Sequence, residues 1–164
     1  MSIIELKSVA QNTHPLPKSK SNAGSFSIEE DRYCLVPDGE YLVALDHYRT
    51  DHMFKGAPKL EMMFGMIDEG YQGLLLPKWY NAKKAQKNRK YGNFKVARRS
   101  NFSMDFMRLF DANPKRLDRI PMSLFENHLF MVETEQVKHN FQQANYPERL
   151  KYSKIKRIIK AIPM

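Results

Sequence analysis

Alternating apolar and polar positions predict strands along most of the chain. In residues 40–48, Tyr41, Val43 and Leu45 alternate with residues of the opposite face, and a period of two is typical of a β-strand. Similar patterns predict strands at residues 59–67, 71–81 and 128–137, and another that begins at Tyr152. The C-terminal end of this last segment stays undecided, because its isoleucines also fit a helical spacing.

The second and third strands form a predicted hairpin around the turn Asp68-Glu69-Gly70. In the second strand, the even-numbered residues 60–66 are apolar and form the predicted core face. In the third, Lys78 and Tyr80 share one face and Trp79 lies on the other. Because a lysine cannot enter a core unpaired, we expect Tyr80 to face solvent beside Lys78 and Trp79 to face inward.

A short amphipathic helix is predicted between the third and fourth strands. Four large apolar residues follow the spacing of one helix face: Phe102, Phe106, Leu109 and Phe110. Ser100 or Asn101 can cap the start, and Asn113-Pro114 ends the helix. The predicted fold class is therefore all-β with one short helix, in the element order of an OB-fold-like five-stranded Greek-key barrel whose helix lies between strands three and four.

The domain organisation follows from where these patterns begin. Residues 11–25 are polar, contain prolines and lack periodicity, so we predict a flexible N-terminal arm at residues 1–27. The OB-fold-like domain is predicted at residues 28–164, with a basic insertion at 82–100. A chain of 164 residues has room for one such domain and little besides.

The longest stretch without acidic residues includes this insertion. No Asp or Glu occurs from Gly70 to Met104, where aromatic residues are interspersed among nine Lys and Arg. Cations that contact phosphates, together with rings on which bases stack, are typical of proteins that bind single-stranded nucleic acid. The predicted nucleic-acid-binding residues are Lys78, Tyr80, Lys83, Lys84, Lys87, Arg89, Lys90, Tyr91, Phe94, Lys95, Arg98 and Arg99. The alternative is that the charges only solubilise a loop and the rings belong to the core.

Several short patterns resemble one family of proteins. They are Gly39-Glu-Tyr41, Lys59-Leu-Glu-Met-Met-Phe64 with Ile67-Asp68, Gly73, Trp79-Tyr-Asn81 and, after the helix, Tyr152-Ser153. Together they resemble the small OB-fold single-stranded-DNA-binding proteins of phages, plasmids and integrative mobile elements. The resemblance spans residues 36–156 and implies an accessory protein of DNA replication, recombination or transfer that coats single strands. The long basic insertion departs from a minimal member of this family.

Composition and charge agree with a nucleic-acid partner. The net charge of +9 favours a polyanion, of which nucleic acid is the commonest. The sequence shows neither a transmembrane segment nor a secretory signal, so we expect a cytoplasmic protein without a membrane partner. The single cysteine, Cys34, excludes an internal disulfide and a multi-cysteine zinc site.

Enzyme chemistry is not expected. Two Asp-His pairs, Asp46-His47 and Asp51-His52, have ligand types suited to metals but lack metal-site spacing. No phosphate-binding loop or nucleophile motif occurs, so we predict no catalytic residues, metal or cofactor.

Three functions remain open. The first is binding of single-stranded DNA, or RNA. The second is a protein-binding module or inhibitor that acts on a host nucleoprotein complex of replication or defence. The third is duplex or RNA binding through the insertion alone, and a homo-oligomer is possible in each case.

Overall fold

A computed structural model describes residues 33–53, 55–112 and 121–164. The predicted N-terminal arm and the predicted domain start at residue 28 lie outside these ranges. The strands are β1 (Glu40–Met53), β2 (Ala57–Met66), β3 (Leu75–Asn81), β4 (Lys84–Ala85), β5 (Arg89–Lys90), β6 (Phe94–Lys95), β7 (His128–Val137) and β8 (Tyr152–Pro163). The helices are α1 (Asn101–Phe110), α2 (Ser123–Glu126) and a 3-10 turn at Glu148–Leu150.

The predicted all-β class is confirmed at the level of its elements. The predicted strand at residues 128–137 is β7. The undecided C-terminal segment is a continuous strand, β8, as far as Pro163. The predicted helix is α1, and the Ser100 side chain accepts a hydrogen bond from Ser103 N at its start, as a capping residue does. No helix in the described ranges is long and apolar enough to cross a membrane.

The long strands form one antiparallel sheet in the order β3-β2-β1-β7-β8. In addition, β5 pairs with β1, and β4 pairs with β6 in a separate two-stranded sheet. Within the described residues, no backbone ladder joins β3 to β8. The hydrogen-bonded sheet is therefore open between these two strands, and the described residues do not show the closed barrel that the sequence predicts.

Other groups fill the gap between β3 and β8, which we call the seam. At one end, Cys34 links the two strands, because Ser153 N donates to Cys34 O at 2.8 Å and Cys34 Sγ donates to Leu75 O at 3.2 Å. Next to it, Val36 N donates to Ser153 Oγ at 2.9 Å. Further along, Lys78 Nζ donates to Lys156 O at 3.1 Å. Because unpaired edge carbonyls and N–H groups are costly when shielded from water, these contacts explain how two unpaired strand edges can lie side by side.

The core lies between the sheet and the two helices. The even-numbered residues 60–66 of β2 are buried, as predicted, and α1 contributes Phe102 and Phe106. The Phe102 ring is stacked with that of Phe125 from α2, with ring centroids 5.7 Å apart. Each large side chain buried in this way stabilises the fold by about 1.5–3 kcal/mol. This packing fixes α1, and α1 begins directly after the predicted basic insertion.

Candidate nucleic-acid interface

Residues 82–100, which we call the basic arm, fold back onto the end of β1. Strand β5 pairs with Arg49 and Thr50 of β1, and Tyr91 N donates to Tyr48 O at 3.0 Å. Strands β4 and β6 pair with each other. The arm is thus held by backbone pairing at its middle and by β3 and α1 at its two ends.

A close approach at Gly92 fixes the arm against β1. A Cβ atom at this position would lie 2.0 Å from Thr50 Oγ1, a distance that no side chain tolerates. Thr50 is itself fully buried, and its hydroxyl donates to Arg89 O at 3.3 Å. Only glycine therefore allows the arm to pass this close to β1.

Asp51 and His52, considered above as metal ligands, instead hold the arm. Asp51 Oδ1 accepts hydrogen bonds from Asn88 N at 3.0 Å and His52 N at 2.7 Å. His52 Nε2 lies 2.9 Å from Ala85 O. Burial alone would raise the pKa of the Asp51 carboxyl, but these two N–H groups, Arg49 and His52 outweigh it and lower that pKa. The contact to the arm is therefore complete above the ordinary aspartate pKa of about 3.9 and is lost as the pH falls through the lowered value.

The cations of the arm all face solvent. The exposed residues are Lys83, Lys84, Lys87, Arg89, Lys90, Lys95, Arg98 and Arg99. Within the described ranges, none of them forms an ion pair with an acidic side chain. The structure therefore places eight of the nine predicted cations on one ordered segment, where no described acidic side chain neutralises them.

The pairing of the arm places cations opposite cations. Lys84 on β4 is directly opposite Lys95 on β6, and Lys90 on β5 is opposite Arg49 on β1. Like charges at opposed strand positions destabilise a sheet by roughly 0.2–1 kcal/mol per pair. Such local conflicts with stability occur mostly where a ligand is bound.

Two of the predicted aromatic residues lie on the arm. Tyr91 is 51% exposed, its ring packs edge-on against Tyr48 at 5.2 Å, and Lys90 Nζ lies 5.4 Å from its centroid. Phe94 is partly buried and contacts the rings of Tyr48 and Phe102 edge-on. Tyr91 thus offers its ring to solvent beside a cation, whereas Phe94 joins the arm to the core.

The predicted orientation of Tyr80 is wrong. Tyr80 is 3% exposed and belongs to the core, because its strand position lies opposite Leu60 on the core face of β2. Its hydroxyl donates to Asp105 Oδ2 at 2.8 Å, and burial followed by the nearby Asp105 charge raises the pKa of Tyr80 well above its usual value. A ring enclosed in this way cannot stack with a base.

Lys78 shares the inner face with Tyr80 and does not join the arm. Its ammonium group reaches Lys156 O across the seam and lies 5.1 Å from the Tyr80 ring centroid. Burial lowers the pKa of Lys78, and the charge of Asp105 opposes that shift. The backbone carbonyl of β8 gives the ammonium group a partner, which the sequence argument did not foresee.

Trp79 lies on the outer face, opposite to its predicted direction. Its indole Nε1 donates to Glu61 Oε1 at 3.1 Å, and the Tyr33 hydroxyl donates to the same oxygen at 2.6 Å. The rings of Tyr33, Trp79 and Tyr152 contact one another with centroids 5.3–6.0 Å apart. Sequence reasoning missed this aromatic cluster, because it joins residues that are far apart in the chain.

Other chemistry is sparse. Within the described residues, no group of three or more His, Cys, Asp or Glu side chains is placed to hold a metal ion. The side chains of Asp46 and His47 pair with each other at the surface, with Oδ2 and Nδ1 2.6 Å apart. Comparison with known proteins adds no relative, since no protein-family model, no curated protein and no solved structure matches the chain.

Proposed function

We propose that the protein binds single-stranded nucleic acid, with DNA as the preferred form, through its basic arm. One observation carries the proposal: eight exposed cations lie on an ordered segment without an acidic partner among the described residues, and Lys84 and Lys95 are held directly opposite each other. Phosphate groups would neutralise these charges and remove the repulsion. Tyr91 adds an exposed ring on which a base can stack.

We further propose that the domain is an OB-fold-like barrel. Two observations support this assignment: the strand order β3-β2-β1-β7-β8 and the position of α1 between the third and fourth long strands. In this interpretation, the seam is where β3 and β8 approach without a ladder. A role in a phage, plasmid or integrative element stays a prediction from the resemblance.

A titration tests the proposal directly. Fluorescence anisotropy with a labelled oligo-dT strand should show binding that weakens as salt rises. If about five phosphates contact the arm, the affinity should fall about a hundredfold between roughly 50 and 200 mM salt. A duplex of equal length is the control and should bind more weakly, because its bases are not available for stacking.

The same titration separates the alternatives. Equal affinity for strand and duplex would favour binding by charge alone, without stacking on Tyr91. No binding of either form at low salt would overturn the proposal. That second result would favour a protein-binding module.

A further inference from the structure

An open groove on the basic arm is lined by residues of the paired strands β4 and β6 and of their connection. It encloses about 440 Å³, which falls within the range of about 300–1,000 Å³ that is usual for small-ligand sites. Its lining residues are Lys84, Ala85, Gln86, Asn93, Phe94 and Lys95. The groove thus combines two cations and two amides in a space that can hold one nucleotide unit.

The register of the strand pair places the two cations of this groove next to each other. Lys84 and Lys95 are opposed across the β4–β6 pair, and Ala85 is opposite Phe94. The Phe94 ring is anchored on its buried side by Tyr48 and Phe102, with centroids 6.1 and 5.5 Å away. Because side chains alternate between the two faces of a strand pair, Phe94 points towards the core, and Lys84 and Lys95 point away from it.

The two amide side chains differ in how they are used. Gln86 N donates to Asn93 O at 3.0 Å, and Asn93 N donates to Gln86 Oε1 at 2.8 Å. These bonds orient the Gln86 amide. Within the described part of the chain, the Asn93 side-chain amide has no hydrogen-bond partner, so it can offer one donor and one acceptor to a ligand. Asparagine and glutamine form this paired donor and acceptor contact with the N6/N7 edge of adenine.

We infer that the groove is a subsite for one adenine nucleotide of the bound strand, in which Asn93 reads the base. Lys84 and Lys95 contact its phosphates, and the Asn93 amide pairs with the edge of its base. The inference rests on the proposed function and goes beyond it, because binding by charge and stacking alone is largely indifferent to sequence. It gives the arm a preference for adenine at one position.

The test compares how the protein and a variant discriminate between bases. Affinities for dA12, dT12 and dC12 strands are measured for the wild-type chain and for Asn93→Ala, which keeps the backbone contact to Gln86. The dA/dT and dA/dC affinity ratios should each fall about tenfold in the variant, because one bidentate base contact usually discriminates by roughly 5- to 150-fold. Self-stacking of dA12 cancels from the comparison of these ratios, since both proteins are titrated with the same strands.

Two control variants accompany Asn93→Ala. Gln142→Ala removes an exposed amide from the connection between β7 and β8, and its ratios should equal those of the wild type. Lys84→Gln should lower the affinity for all three DNA strands by a common factor and leave the affinity ratios unchanged. Circular dichroism of each variant checks that it is folded.

The outcomes are distinct. Ratios that are the same in wild type and Asn93→Ala, with binding retained, would overturn the adenine subsite and leave the proposed function intact. A changed ratio in Lys84→Gln alone would also overturn it, because the base would then be read elsewhere. No binding of any strand at low salt would overturn both the subsite and the proposed function.

Discussion

The protein has two basic regions, and they use their cations in opposite ways. On β8, Lys154 Nζ lies 3.1 Å from Glu135 Oε1, and Lys156 Nζ and Arg157 Nε both contact Glu133 on β7. In the basic arm, eight cations have no such partner within the described residues. Residues of the same type therefore support the sheet in one region and stay available to a ligand in the other.

The two regions also differ in what their strand pairing does. Along β7 and β8, opposite charges face each other, as in the pair Glu135 and Lys154. In the arm, Lys84 faces Lys95. Favourable and unfavourable cross-strand charge pairs each change stability by only roughly 0.2–1 kcal/mol. The fold can therefore tolerate the repulsion in the arm. Because the cations of the two regions have different partners, net charge alone does not identify a binding surface.

The largest expected effect separates two tyrosines that sequence reasoning treated alike. Tyr80→Ala should lower the free energy of unfolding by about 3–5 kcal/mol, since it truncates a large buried ring. Tyr91→Ala should instead reduce affinity for oligo-dT by about 1–3 kcal/mol, the usual contribution of one stacked base. Urea denaturation and anisotropy, measured on both variants, provide the comparison.

Tyr80→Phe serves as the matched control, because it keeps the ring and removes only the hydroxyl that donates to Asp105. Its loss of stability should be smaller than that of Tyr80→Ala. A Tyr91→Ala variant that unfolds as readily as Tyr80→Ala would show that the ring of Tyr91 supports the fold instead of a ligand.

A smaller effect tests the two basic regions against each other. The double variants Lys84→Gln/Lys95→Gln and Lys154→Gln/Lys156→Gln remove the same total charge. The first should lower affinity for oligo-dT about tenfold through lost phosphate contacts, and should raise stability by roughly 0.2–1 kcal/mol as the repulsion disappears. The second should leave affinity almost unchanged and lower stability by about 0.2–1 kcal/mol for each lost ion pair.

Anisotropy and urea denaturation of both double variants provide the measurement. Equal losses of affinity would mean that the strand responds to the overall charge of the molecule. The two basic regions would then not differ in their contribution to nucleic-acid binding.

The smallest effect concerns Asp51, which lies between β1 and the arm. Removal of an acidic group beside a phosphate-binding surface should strengthen binding if charge alone matters. Because Asp51 Oδ1 holds Asn88 N of the arm, we expect Asp51→Ala to weaken binding about threefold, the value of one lost hydrogen bond. Anisotropy at fixed salt shows whether the affinity of Asp51→Ala falls or rises. Stronger binding would show that this contact does not position the arm.

The sequence predicted the regular elements well. Strands β2, β7 and the helix α1 follow from local periodicity, which reports burial of one face. The acid-free arm was also visible, because composition needs no knowledge of the fold. The very short strands β4, β5 and β6 and the short α2 were not visible, since two to four residues carry no periodic signal.

The choice of which face of β3 is buried shows where sequence reasoning fails. A period of two places Trp79 and Tyr80 on opposite faces, but it does not say which face is inside. The prediction for β3 depends on Lys78 and on the premise that an unpaired lysine does not enter a core. In the structure, Lys78 donates to Lys156 O, an acceptor 78 residues away in the chain. Contacts of this kind depend on the completed fold and leave no local pattern.

The seam also bears on the order in which the protein is made and folded. Val36, near the beginning of the described chain, is hydrogen-bonded to Ser153, 117 residues later. A ribosome completes β1, β2 and β3 long before it releases β8, so the last strand must find a place prepared by the first part of the chain. Contacts between such distant residues slow folding, because a long loop must close before they form. Until then, the freshly synthesised β3 presents a bare edge to the cell.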